Sequence, residues 1–272
     1  MGSQSNILKI CIAILELLIA CNFASVDAWI GHGITQARQQ DFPFIVAITK
    51  RIENINAERY IVCTGTLVSS QDVLTAAHCT NNEELNGIQL IVGSVDIRST
   101  NRHYPLWWIS QYQWAMYQLN YPYQTDVAVI RLINRLEFGT PYALISFYTL
   151  EDLVGRNVTT AGWGEIQNGA YPSTLRTTTT RIISREECQM RATMLEQRSL
   201  RVENNVLCSV GFPYAFMMTG DSGGPVIYNN ELIAISTGTG PLPDQGMHPD
   251  KVNLHDNLYY YRRYLYETLN AD

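Results

Sequence analysis

Three features of the sequence predict an all-β sandwich or barrel with a helix at its C-terminal end. Short apolar runs recur at fairly regular spacing, Gly, Pro, Asn and Ser break them, and helical periodicity is confined to two segments. The runs that read as strands are Phe44–Thr49, Tyr60–Leu67, Ile88–Gly93, Val127–Leu132, Thr159–Gly162, Thr177–Ile183 and Pro225–Ser236. Ser184 and Glu187 form a Ser-x-x-Glu box, which predicts a helix running to about Gln197. Asn257–Leu269 places Leu258, Tyr261, Leu265 and Leu269 at mostly helical spacing, a stripe expected to dock on the β core. No repeat, low-complexity tract or clear linker divides the chain, so one core built from two β-halves is expected.

The chain has 272 residues, 46% of them apolar and 16% charged, with a net charge of −6. That apolar fraction excludes wholesale disorder. The mild acidity offers no basic footprint for nucleic acid. Ile7–Ala20 is an apolar run too short for a membrane-spanning helix of about 20 residues. Val26 and Ala28 follow it at the positions a signal peptidase reads. Residues 1–28 are therefore expected to be a signal peptide, leaving 29–272 as one secreted, extracellular domain without a membrane segment. Loss of the leader removes Cys11 and Cys21. The remaining Cys63, Cys79, Cys188 and Cys208 suggest two disulfides in an oxidising compartment, with three possible pairings. Their spacing is not that of a zinc site, and no metal or cofactor is expected. The sequon Asn157-Val158-Thr159 makes Asn157 a candidate glycan acceptor.

Three short stretches carry chemistry. In Gly220-Asp221-Ser222-Gly223-Gly224-Pro225 a serine sits between glycines, a sharp turn that gathers a hydroxyl and several backbone N–H groups at one point. A serine hydroxyl is a weak nucleophile and needs a neighbouring base, while the N–H groups can hold the oxyanion formed on attack at a carbonyl. Thr75-Ala76-Ala77-His78-Cys79 supplies a histidine beside a cysteine that can staple its loop. Asp126 heads the apolar run Val127-Ala128-Val129-Ile130, so its charge is drawn toward the interior and needs a partner, for which an imidazole is suitable.

These pieces, in the order His, Asp, Ser, resemble the chymotrypsin-like serine peptidases of the trypsin superfamily. Phe42-Pro43, Cys63-Thr64-Gly65-Thr66-Leu67, Ala161-Gly162-Trp163-Gly164 and Ser236-Thr237-Gly238 extend the likeness over most of 29–272. The resemblance implies two packed six-stranded antiparallel β-barrels and a C-terminal helix, with the site in the cleft between them. It implies a secreted serine endopeptidase in which Ser222 is the nucleophile, His78 the base and Asp126 the group that orients His78. Gly220 and Ser222 would form the oxyanion hole, and Ser236 and Gly238 the strand that pairs with substrate backbone. Cys63 would pair with Cys79, and Cys188 with Cys208. Proteins or peptides would be the substrates, protein protease inhibitors a second class of partner, and the chain a monomer.

Three departures from the family pattern bear on activity. No Lys or Arg lies between Lys9 and Arg38, so none stands just before Trp29-Ile30-Gly31-His32-Gly33, where a cut would expose a new amino terminus for Asp221. This leaves open a latent or inactive homologue that works by binding protein. Phe216, six positions before Ser222, stands where trypsin-like enzymes carry an aspartate, so preference for Arg or Lys is not expected. Asp250 is the candidate for an offset charge on the opposite wall. Met218 stands where most members have a cysteine, no partner cysteine follows Gly238, and Thr237 replaces the usual tryptophan, so the pocket walls lack a staple. Ser94 replaces the acid of a calcium loop.

Overall fold

A computed structural model describes residues 29–51, 60–118, 125–166, 169–197, 199–240 and 248–271. The expected leader, 1–28, lies outside the described residues. In chain order the elements begin with β1 (Ile30–Gly31), β2 (Thr35–Gln36), β3 (Ile45–Lys50), β4 (Ile61–Leu67), β5 (Asp72–Thr75), β6 (Ile88–Val92), β7 (Arg102–His103) and β8 (Pro105–Ser110). They continue with α1 (Gln111–Tyr117), β9 (Ala128–Leu132), α2 (Leu150–Leu153), β10 (Asn157–Gly162), β11 (Arg176–Ile183) and α3 (Arg185–Glu196). The last are β12 (Val206–Val210), β13 (Ala215–Phe216), β14 (Pro225–Tyr228), β15 (Glu231–Gly240), β16 (Val252–Asn257) and α4 (Arg262–Leu269).

Two antiparallel sheets organise all of these strands except β1 and β13, which pair with each other. The first has the order β7-β6-β3-β4-β5-β9-β8, six longer strands with the two-residue β7 at one edge. In the second, β10-β14-β15-β16-β12-β11 closes into a six-membered ring through the β10–β11 pairing, and the short β2 adds to β11. The implied pair of six-stranded barrels is thus present, each with one short extra strand.

The runs of β3 and β9 are continuous because these strands are covered on both faces. Along β3, Val46 and Ile48 point into the first barrel's interior with Leu90, Val92 and Ile130, while Ile45 and Ala47 face Ala161, Trp163 and Leu175 of the second half. A strand buried on one side only would have alternated. The second contact between the halves joins Leu74 and Val129 to Leu232 and Ile235, and the C-terminal segment seals it with Leu258, Tyr261, Tyr264 and Leu265. The predicted stripe therefore docks as expected, although its first turn, Leu258–Tyr261, is a 3₁₀ helix capped by Asn257 Oδ1.

The helix after Ser184 begins as predicted: Ser184 Oγ accepts from the Glu187 N–H at 3.1 Å, and Gln197 closes the helix in a left-handed conformation. The Glu187 carboxylate turns to Arg191 at 2.9 Å. One reading fails. Pro225–Ser236 is not one strand but a hairpin, β14 and β15, turned by Asn229 and Asn230 with φ of 51° and 64°. Adjacent asparagines tolerate this left-handed pair, the geometry of a tight two-residue hairpin loop. Both expected disulfides are formed, Cys63–Cys79 and Cys188–Cys208.

Candidate active site

His78 lies on a 3₁₀ turn, Ala77–Cys79, that leaves β5 and is held from below by the Cys63–Cys79 bridge to β4. Three bonds fasten this turn to Asp126, just before β9. The Ala77 N–H donates to the Asp126 carbonyl (3.0 Å), the His78 N–H donates to Asp126 Oδ1 (2.8 Å), and His78 Nδ1 meets Asp126 Oδ2 at 2.6 Å. Both carboxylate oxygens are thereby aimed at one residue. This hydrogen bond holds the His78 pKa above its ordinary value, against the opposing effect of burial. The imidazole keeps 46% of its side chain exposed.

Ser222 comes from the second half, on the loop entering β14. The first half clamps that loop. The Thr64 N–H donates to the Ser222 carbonyl (2.9 Å), Thr64 Oγ1 donates to the Gly220 carbonyl (2.9 Å), and Thr75 Oγ1 donates to the Thr64 carbonyl (2.8 Å). A Cβ at Gly223 would fall 2.1 Å from Thr75 Oγ1 and 2.2 Å from the Thr64 carbonyl oxygen, which is why glycine follows the serine. Gly220 has φ of 101°, and its N–H and that of Ser222 donate to no group among the described residues. Two free donors beside a hydroxyl suit a developing oxyanion. The Ser222 hydroxyl itself donates to the Thr237 carbonyl at 3.4 Å, and no hydrogen bond joins it to His78.

Asp221 is wholly buried. Its carboxylate accepts from the Gly164 N–H (2.7 Å) and the Met218 N–H (2.9 Å), and among the described residues it has no cation. Burial pushes its pKa up to about 7 despite these two bonds. Nearby, β1 pairs with β13, Ile30 opposite Phe216, and Trp29 is buried against Ala215 and Met217.

The residues expected in the specificity pocket are dispersed. Phe216 is 2% exposed and its ring stacks on Tyr214 at 5.4 Å. Asp250 is 42% exposed and its carboxylate is engaged by Arg191 of α3 at 3.3 Å, with His248 3.6 Å away. Ser236 is buried, its hydroxyl 3.3 Å from His255 Nδ1, and Gly238 lines a cleft of about 590 Å³ that also contains Asp126. Where a disulfide was missing, hydrogen bonds join the walls. Thr239 Oγ1 donates to the Met217 carbonyl, and Asn253 both accepts from the Met217 N–H and donates to the Ala215 carbonyl. Asn253 was not singled out in the sequence, nor was Asp256, whose carboxylate accepts from the Asp126 N–H at 3.1 Å. The signal was present, because Val252-Asn253-Leu254-His255-Asp256-Asn257 carries four buried polar side chains within one strand. Asn157 is exposed at the start of β10.

A family model described as Trypsin matches residues 32–250. Trypsin iota of Drosophila melanogaster is 27% identical over 64% of this chain and 66% of its own length. An alkaline trypsin B of Manduca sexta is 28% identical over 81% of this chain and 87% of its own. A solved structure titled as neuropsin, a serine protease expressed in the limbic system of mouse brain, superposes with a TM-score of 0.69 at 21% identity. It covers 87% of this chain and 99% of that one.

Proposed function

The chain belongs to the trypsin family, the chymotrypsin-like serine endopeptidases, and on that premise we propose that residues 29–272 form a secreted peptidase domain whose nucleophile is Ser222. The observation that carries this reading is the convergence of His78, Asp126 and the Ser222 loop, with the Gly220 and Ser222 amides free. Ser222 Oγ attacks the peptide carbonyl carbon while His78 Nε2 takes the hydroxyl proton. The C–N bond then breaks as His78 returns that proton to the leaving amine, and an acyl-enzyme remains. Water attacks the acyl carbon with His78 again as base, which releases the carboxylic acid product and restores Ser222. Asp126 fixes the imidazole tautomer and stabilises the imidazolium. The Gly220 and Ser222 amides hold the oxyanion, each such donor contributing about 3–4 kcal/mol.

Export follows from the leader expected at 1–28. No helix among the described residues is long and apolar enough to cross a membrane. Asn157 is exposed and is the proposed glycan acceptor. The domain acts as a monomer on protein or peptide substrates, and protein protease inhibitors are its further partners. Labelling with a fluorophosphonate tests the peptidase reading: the folded, processed protein is expected to carry the label on Ser222. If trypsin labels under the same conditions and this protein does not, the peptidase reading is lost.

Phe216 and Asn253 are buried and carry no charge for a basic side chain, and Asp250 is already engaged by Arg191. Cleavage after small or apolar residues is therefore expected over cleavage after Arg or Lys. A peptide library profiled by mass spectrometry checks this, and a dominant Arg or Lys before the cut would refute it.

A second reading has its own support. Among the described residues Asp221 has no cation, and Ser222 donates to Thr237 rather than to His78, which are features of a latent state. In that reading the uncut chain binds proteins without hydrolysing them.

A further inference from the structure

Behind Asp126 lies a second buried carboxylate with its own set of donors. Asp256 Oδ2 accepts from the Asp126 N–H at 3.1 Å. Asp256 Oδ1 accepts from Asn205 Nδ2 at 2.9 Å and from the Tyr261 hydroxyl, a short contact. Asn205 Nδ2 also reaches the Tyr261 oxygen at 2.8 Å, so the three side chains form a closed set. All three are buried. The partners come from three separate places: the segment leading into β12, strand β16, and the 3₁₀ turn before α4. They converge on the one residue that orients His78.

A buried carboxylate is unfavourable unless donors surround it. A neutral side chain could have accepted the Asp126 N–H equally well. The acid therefore needs a reason beyond that bond, and its place behind Asp126 supplies one. We propose that Asp256 is a positioning residue for the triad: it fixes the backbone of Asp126 against His78 and adds a second negative charge that stabilises the imidazolium formed during catalysis. This rests on the reading of His78, Asp126 and Ser222 as the catalytic groups. The other charged or titratable groups facing Asp256 are Asp126, Tyr261 and, through Asp126, His78. Arg201 and Glu203 line the same cleft, 3.7 Å from each other. Desolvation lifts the Asp256 pKa to about 6, with Asp126 adding to the rise and the Tyr261 and Asn205 bonds opposing it. The charge is accordingly present at neutral pH and is lost in mild acid.

Asp256→Asn separates position from charge, because the amide oxygen can still accept the Asp126 N–H. In the processed enzyme this variant is expected to lower the His78 pKa by about half a unit, roughly a threefold change in proton affinity. That shift is read from the imidazole resonances by NMR without substrate. At pH 8, kcat is expected to fall about threefold to tenfold with KM within about twofold, since the group acts on the reacting imidazole and not on substrate binding. Tyr261→Phe is the second variant. It removes one donor and leaves the carboxylate, so Asp256 should protonate at higher pH and activity should fall near pH 6–7 but recover above pH 8. A folded Asp256→Asn protein with unchanged His78 titration and unchanged kcat overturns the proposal. If Asp256→Asn does not fold, a Tyr261→Phe profile superimposable on that of the parent does so. If the parent neither labels with fluorophosphonate nor hydrolyses peptides, the peptidase reading fails, yet the His78 titration still decides whether Asp256 acts on it.

Discussion

Replacing Ser222 by Ala is expected to lower kcat by about a millionfold while the fold persists. Only an Oγ is removed, and among the described residues its hydrogen bond is a long one, 3.4 Å to the Thr237 carbonyl. The clamps on the loop run through backbone atoms of residue 222 and through Thr64 and Thr75, and these stay. Unfolding midpoints of the variant and the parent should therefore agree. His78→Ala should cost about as much, and the double variant little more, because nucleophile and base act as one unit. Asp126→Asn should cost less, about 10⁴-fold, because it spoils the tautomer and leaves the other two groups in place. Hydrolysis of a peptide found in the library screen, followed by burst kinetics, measures all four proteins. A Ser222→Ala protein with activity within about tenfold of the parent would falsify the assignment of the nucleophile.

The strands that reason correctly from sequence are those with unbroken apolar runs. β3 and β9 are buried on both faces by two different clusters, and their side chains show it directly. The hairpin at Asn229-Asn230 does not show in the sequence because apolar residues flank it on both sides, and its turn depends on φ values that composition does not display. β16 was missed for the opposite reason. Asn253, His255, Asp256 and Asn257 look like a loop, yet each is buried among partners brought from elsewhere in the chain. The triad candidates were legible because each sits in a short stretch whose chemistry is local. Asp256 was not, because its role depends on Asp126, 130 positions away. The same holds for the pocket: the replacement of an acid by Phe216 is visible in the sequence, but the stacking of that ring on Tyr214 and the bridging by Asn253 arise only from tertiary packing.

For a chain whose amino end is blocked, the contribution of Asp221 to stability is expected to fall as pH rises from about 4 to about 7, by a total on the order of 4 kcal/mol. Its carboxyl titrates at 3.8 in the unfolded chain and near 7 when buried, chiefly through desolvation. Between those values the native state holds a proton that the unfolded state has released, so raising the pH favours unfolding. The two amide donors, Gly164 and Met218, oppose this rise and do not cancel it. A cation delivered to the same carboxylate would invert the slope, because it favours the ionised form. The start of the described chain is suitably placed to provide one. Trp29 is buried, and Ile30–Gly31 pairs with Ala215–Phe216, on the segment that leads to Asp221. Removal of residues 1–28 would leave an α-amino group at Trp29 that stays protonated to about pH 8. Two forms of 29–272, one with a free amino terminus and one acetylated, separate the possibilities by denaturant midpoints at pH 5, 6, 7 and 8. The acetylated form should lose stability steadily relative to the free form, because the buried Asp256 and His255 titrate alike in both and drop out of the difference. Because Asp221 lies between the two oxyanion donors, the free form should also label faster with fluorophosphonate. The same pH dependence in both forms, with equal labelling, would mean that the amino group does not reach Asp221.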